Sequence, residues 1–143
     1  GPYYTNAGTA PQPAERAYPP QSPVGSKSAN NLGSAPADWV ATLFVGSVGD
    51  VINPSVTIGT SVMTFDQNGG ITMTAGQTLV IDTKQRSILL NGDPAEPRFD
   101  RSDFLDWSWD DFQLLAGANS VRIDYTGSSV NAAMTLCWFD SWL

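Results

Sequence analysis

The chain has no histidine and a single cysteine among its 143 residues. Without histidine there is no Ser-His-Asp or Cys-His catalysis, and nearly all zinc sites are removed as well. The lone Cys137 has no partner for an internal disulfide, so cysteine usage gives no sign of an oxidising compartment. It lies inside "AAMTLCWF", where a buried small hydrophobe is expected over a reactive thiol. Cations are scarce: seven Lys and Arg stand against 14 Asp and Glu, a net charge of −7 and a pI near 4.1. Such a surface repels phosphate, which argues against nucleic acid and against anionic membrane as partners. No apolar run approaches the roughly 18 residues of a spanning helix, so no membrane insertion is expected. Signal-peptide, Walker-type and D-x-D-x-D-G calcium patterns are absent, and nothing specifies a metal or a cofactor.

What is present is β-pattern. Charged residues make up only 15% of the chain, and Thr, Val, Gly and Asn are plentiful, which suits an all-β domain. Seven of the ten prolines fall in residues 1–37, a stretch with no apolar period. That composition predicts a proline-rich linker or extended strap, pinned at points by Tyr3, Tyr4 and Tyr18, ahead of a domain over 38–143. From Trp39 the period is two. Trp39, Ala41, Leu43 and Val45 share a face in "WVATLFV"; Val121, Ile123 and Tyr125 share one in "NSVRIDY"; Ala132, Met134, Leu136 and Trp138 share one near the C-terminus. "SVMTF" and "ITMTA" flank "DQNGG", a hairpin signal, because Asn-Gly tolerates positive φ. "QTLVID" and "RSILLNG" read as two further strands joined by a polar turn. Eight or nine short strands with Gly, Asn and Pro turns predict an antiparallel sandwich or barrel, with at most a single helical turn near "SDFLDW".

The densest chemistry lies at the end of "LVIDTKQRSILLNGDPAEPRFDRSDFLDWSWDDFQLL". Asp100, Asp103, Asp106, Asp110 and Asp111 fall within one short window around Trp107 and Trp109. Glycosidases need two carboxylates facing each other across a cleft, and clustering in one loop is not that signal. Short acidic side chains before strands usually cap turns, so no catalytic residue is assigned. Alternate tryptophans point to one side if the stretch is extended, and a flat pair beside Asp106 and Asp110 would stack a sugar ring. The competing and favoured reading is that the rings plug the end of the sandwich, since large aromatics mostly serve burial. Trp107, Trp109, Asp106 and Asp110 are the candidate ligand or partner contacts.

Five segments in order resemble the C-terminal domain of siphophage distal tail and minor tail proteins. "NNLGSAPADW" resembles the family's Asn-x-Gly-x-Ala-Pro opening, and "LFVGSVGDVINPSVTIG" its next strands. "AGQTLVIDTKQRSILLNGD" is similar to its Gly-x-x-Leu-x-Ile-Asp-Thr…Leu-Asn-Gly hairpin, with Asp82-Thr83 at the turn entry and Asn91-Gly92 at the exit. "DFQLLAGANSVRIDYTG" and "TLCWFDSWL" resemble the last segments, and "ERAYPPQSPVG" the connector before the domain. The chain departs from the pattern at Asp111, where Trp is frequent, at Ala116, where Pro is common, and in a longer, more acidic "DPAEPRFDRSDFLDWSW" loop.

The resemblance implies a jelly-roll or galectin-like antiparallel β-sandwich in a structural component of the phage tail tip. It also implies a place in the virion, an upstream ring-forming domain, and contacts with other tail-tip proteins. The rival reading is a carbohydrate-binding module that grips a host-surface glycan; an enzyme comes third. The first methionine is Met63, which fits a fragment or processed product, and the leading Gly1-Pro2 fits a protease scar. With seven excess negative charges the fragment is expected to be monomeric, or at most a weak dimer, and the full-length protein to form a homo-oligomeric ring. The expected core is Leu43, Val56, Ile58, Leu79, Ile81, Ile88, Leu90, Val121, Ile123, Leu136 and Trp138. Trp142 or Leu143 is expected to dock on the sandwich.

Overall fold

A computed structural model describes residues 27–139 and Ser141, together with the strand backbone at Tyr3–Tyr4 and Pro13–Tyr18. The chain folds into two antiparallel sheets. Sheet A has the order β1 (Tyr3–Tyr4), β2 (Pro13–Tyr18), β11 (Ala133–Phe139), β4 (Trp39–Phe44), β8 (Thr78–Asp82) and β9 (Ser87–Leu90). Sheet B has the order β3 (Lys27–Asn31), β10 (Gly117–Thr126), β5 (Val51–Ile58) and β6 (Ser61–Thr64), with β7 (Thr72–Met73) also on β5. β3 thus lies upstream of residue 38 and pairs with β10 along its whole length. The side chains of residues 1–26, and Trp142 and Leu143, lie outside the described residues, and with them the expected strap contacts and C-terminal docking.

The two-residue period decides which face each strand buries. Trp39, Ala41 and Leu43 of β4 are buried, and Val40 and Thr42 between them are half-exposed. β10 and β11 alternate in the same way, placing Val121, Ile123, Met134, Leu136 and Trp138 in one core with Leu79, Ile81, Val56 and Ile58. Of the expected core residues only Leu90 is not fully buried. It sits at the end of the sheet-A edge strand β9 and packs against the core from its margin. Cys137 is not the buried residue its apolar surroundings suggested. It falls between Leu136 and Trp138 and therefore points to the outer face of sheet A, half-exposed.

The "DQNGG" turn does not close a hairpin. β6 pairs with β5 at Ser55–Ile58, and β7 pairs with the same strand at Val51 and Ile52. The two are halves of one edge strand, interrupted by the excursion at 65–71. The cause lies in β5: Asn53 has φ 47°, and Pro54 has no N–H to donate to the ladder. The Asn53 N–H instead reaches the Ile71 carbonyl at 2.8 Å, while its side-chain Oδ1 accepts the Ile71 N–H at 3.1 Å. Gly70 must be glycine here, because a Cβ would lie 2.0 Å from that Oδ1.

"NNLGSAP" is a buried tie. Asn31, 1% exposed, donates from Nδ2 to the Ala35 carbonyl at 2.8 Å and the Leu114 carbonyl at 3.2 Å. Its Oδ1 accepts the N–H of Gly33 at 3.0 Å and of Ser141 at 3.4 Å. A Cβ on Gly33 would lie 1.8 Å from the Ser141 carbonyl oxygen, so the chain end packs directly on glycine backbone.

Candidate functional site

The resembling hairpin holds itself with polar turn chemistry. Asp82 Oδ1 accepts the N–H groups of Lys84 and Gln85 at 3.0 and 2.9 Å, closing the turn between β8 and β9. Thr83 is buried and bonded to β4: its Oγ1 accepts the Trp39 N–H at 2.9 Å and lies 3.0 Å from Asp38 Oδ1. At the exit Asn91, φ 55°, accepts the Thr78 N–H on its Oδ1 at 3.0 Å. The Asp82, Thr83 and Asn91 side chains of the motif are each engaged with backbone or a neighbouring side chain, which is a structural role.

The acidic, aromatic segment that follows spans the two sheets. Its first part extends sheet A: the Leu90 N–H reaches the Glu96 carbonyl at 2.9 Å and the Arg98 N–H the Ile88 carbonyl at 2.8 Å, around a Leu89–Pro97 bridge. Its middle meets sheet B. The Gln67 N–H donates to the Arg101 carbonyl at 2.9 Å and the Asp103 N–H to the Thr64 carbonyl at 3.0 Å. The Asp103 carboxylate completes that pair by accepting the Thr64 N–H at 2.9 Å, in the place where a neighbouring strand would offer a carbonyl. The segment is therefore a flap over the free edges of β9 and β6. The cover blocks strand addition along β9 and at the Thr64 end of β6.

Three short 3-10 turns shape the flap, at Phe99–Arg101, Phe104–Asp106 and Trp109–Phe112, where one turn near "SDFLDW" was expected. The last is closed by Asp111, whose Oδ2 accepts the Ser108 N–H at 2.9 Å. Among the described residues there is no α-helix.

The structure brings the two candidate tryptophans together but not as a platform. Trp107 and Trp109 are half-buried, with ring centroids 5.1 Å apart and planes 86° to each other. Trp107 and Ser108 are extended and the third 3-10 turn begins at Trp109, yet the two rings meet edge to face and present no shared flat surface. Phe99 stacks on Trp109 at 5.9 Å and 21°, and Trp107 meets the fully buried Phe112 edge-on at 5.2 Å. The Trp107 indole N–H donates to Asp103 Oδ1 at 3.0 Å, and the Trp39 indole N–H donates to the Phe112 carbonyl.

Of the candidate carboxylates, Asp110 is exposed and lies 3.7 Å from Arg86 of the hairpin turn, which is also exposed. Asp106 is exposed at the end of the second 3-10 turn. Asp103 is the carboxylate that organises the flap, and sequence gave no reason to single it out from its neighbours, because its partner Thr64 is 39 residues away. Sequence reading also passed over Phe104 and Leu105, which the turn holds outward at 39% and 88% exposure. The aromatic positions 99, 104, 107, 109 and 112 follow neither period two nor period 3.6, so no pattern separates inward from outward members.

Among the described residues no group of three or more Cys, Asp or Glu is placed to hold a metal ion. A family model described as the siphovirus-type tail component, C-terminal domain, matches residues 32–142. No curated protein and no solved structure matches the chain.

Proposed function

The chain belongs to the siphovirus-type tail component family, in which it matches the C-terminal domain, and from that premise we propose that it is the projecting β-sandwich of a distal tail or minor tail protein. Family membership places it in the phage virion, as a structural part of the tail that meets other tail proteins. The finer reading is ours: the sandwich stands at the distal end, in the baseplate, and offers a rigid surface to the proteins that attach to the host. Its role is mechanical and not enzymatic. The observation that carries the reading is the family match over β4 to β11, on a sandwich whose signature motifs are consumed in holding backbone. Asn31, Asp82, Thr83 and Asn91 are all engaged with backbone or turn partners, which leaves surface shape as what the domain offers.

We further propose that contact with those neighbours is made by the flap, through the exposed carboxylates Asp106 and Asp110 and the rims of Trp107 and Trp109. Glycan binding at the same place is the weaker reading. A sugar needs a flat ring face, and here the two rings are perpendicular with the Trp107 N–H already donated to Asp103. Like copies repel through the −7 charge, which supports a monomer or at most a weak dimer for the isolated chain, with a ring formed only in the context of the assembled protein.

Gold-labelled antibody raised against the sandwich tests the placement on intact virions. Label confined to the distal end of the tail is expected; label along the tail tube would overturn the tip placement while leaving the family intact. A titration with host cell-wall oligosaccharides is expected to show no binding. Binding lost on Trp107→Ala would favour the glycan reading instead.

A further inference from the structure

Phe104 and Leu105 are the only sequence-adjacent pair among the large exposed hydrophobic residues described. Single exposed leucines are ordinary on soluble proteins, so exposure alone decides nothing. What sets this pair apart is its support. Phe104 rests on Phe99 with centroids 4.7 Å apart, and Phe99 stacks on Trp109 of the half-buried aromatic cluster. The residue just before the pair, Asp103, is fixed by the Thr64 backbone in both directions and by the Trp107 indole. The apolar tip is thus held in place before any partner arrives, and little ordering entropy remains to be lost on docking.

The surroundings of the tip are anionic. Five aspartates against one arginine, Arg101, leave residues 99–112 with four net negative charges (5 − 1 = 4). Arg101 donates from Nη1 to the Gly70 carbonyl at 2.7 Å and lies 3.7 Å from Asp100, and Arg86 of the hairpin turn lies 3.7 Å from Asp110, so Asp106, next to Leu105, is the exposed carboxylate of the tip with no ion pair among the described residues.

We propose that Phe104 and Leu105 form a knob that inserts into an apolar recess bordered by lysine or arginine on an adjacent tail protein. The proposal rests on the tail-tip reading above and deepens it by naming the contact. The acidic rim decides between occupants. Anionic lipid and nucleic acid are repelled, and so is a second copy of this chain, which carries the same rim. Aliphatic and phenyl side chains offer nothing to sugar hydroxyls. A basic protein surface with an apolar centre satisfies both parts of the tip, the arrangement of a buried anchor with a charged rim.

The test uses assembled tails from phage in which position 105 carries a photo-crosslinking side chain. The chain is first sought in the purified tails by mass spectrometry; its absence would sink the tail-tip reading and this proposal together. With the chain present, a crosslink from position 105 is expected to a different tail protein, at a segment with Lys or Arg flanking apolar residues. No crosslink, a crosslink to another copy of this chain, or one to an acidic or wholly polar segment would overturn the knob and leave the tail-tip reading standing. Leu105→Asp should melt like the parent, being exposed, yet lower retention of that neighbour by at least about tenfold. Asp106→Lys should weaken retention further as salt is lowered. Unchanged retention in both variants would also overturn the proposal.

Discussion

The hairpin of β8 and β9 and the flap that follows it are neighbours in the chain and are held in opposite ways. The hairpin is held by a ladder of backbone pairs, with Leu79, Ile81 and Ile88 buried in strict alternation. Asp82 and Asn91 close its turns, and Thr83 ties it to β4. The flap has almost no ladder of its own. Its backbone is held by side chains and by distant strands: Asp103 on Thr64, Asn68 on the Asp100 carbonyl, Arg101 on the Gly70 carbonyl. Phe99, Trp107, Trp109 and Phe112 of the flap face inward at irregular intervals. The comparison teaches that an acidic loop can be as much a part of the core as a strand, provided its carboxylates accept backbone N–H groups and its rings reach the interior.

The sharpest way to break the comparison is to empty the core under each element. Phe112→Ala should cost about 3–5 kcal/mol, because Phe112 is fully buried although it belongs to the flap. Ile81→Ala in the hairpin should cost about 2–5 kcal/mol, and a denaturant titration compares the two directly. If the flap were a loose appendage, Phe112→Ala would barely move the midpoint. Next in size is Asp103→Ala, which leaves the Thr64 and Trp107 N–H groups without their acceptor and should cost about 1–3 kcal/mol. Asp103→Asn keeps an acceptor oxygen and should cost less, a difference that thermal melts of both variants will show. Asp111→Ala removes the acceptor of the Ser108 N–H, an exposed bond of about 0.5–1.5 kcal/mol. The smallest effect is predicted for Arg86→Ala. It removes the one ion pair seen between hairpin and flap, but both side chains are more than half exposed and solvent screens the pair. No measurable change in melting temperature is expected, and a clear drop would show that the two elements are coupled through charge.

The strands were legible because one buried face imposes period two, and this held for β4, β8, β10 and β11. The turn entry at Asp82-Thr83 was legible through the resemblance of the hairpin, and its physical basis is that Asp82 accepts the N–H groups two and three residues on. What could not be read depends on partners far along the chain. The "DQNGG" turn looks like a hairpin locally, yet Asn53 and Pro54 in β5 turn β6 and β7 into one interrupted edge. Nothing local singles out Gly33; its need for glycine comes from Ser141, far along the chain. For the flap, the sequence announced the rings and the carboxylates but not which would be spent inside. Trp107 and Trp109 pack with each other and the core, and the residues left facing outward, Phe104 and Leu105, carry no motif.

Amide hydrogen exchange on the intact chain tests most directly whether the flap is a built part of the sandwich that presents its tip rigidly. The Arg98 and Asp103 amides, bonded to Ile88 and Thr64, are predicted to be clearly slowed relative to an unstructured peptide and to open together with the hairpin amides of β8 and β9. Exchange of both at free-peptide rates, while the hairpin stays protected, would contradict the account.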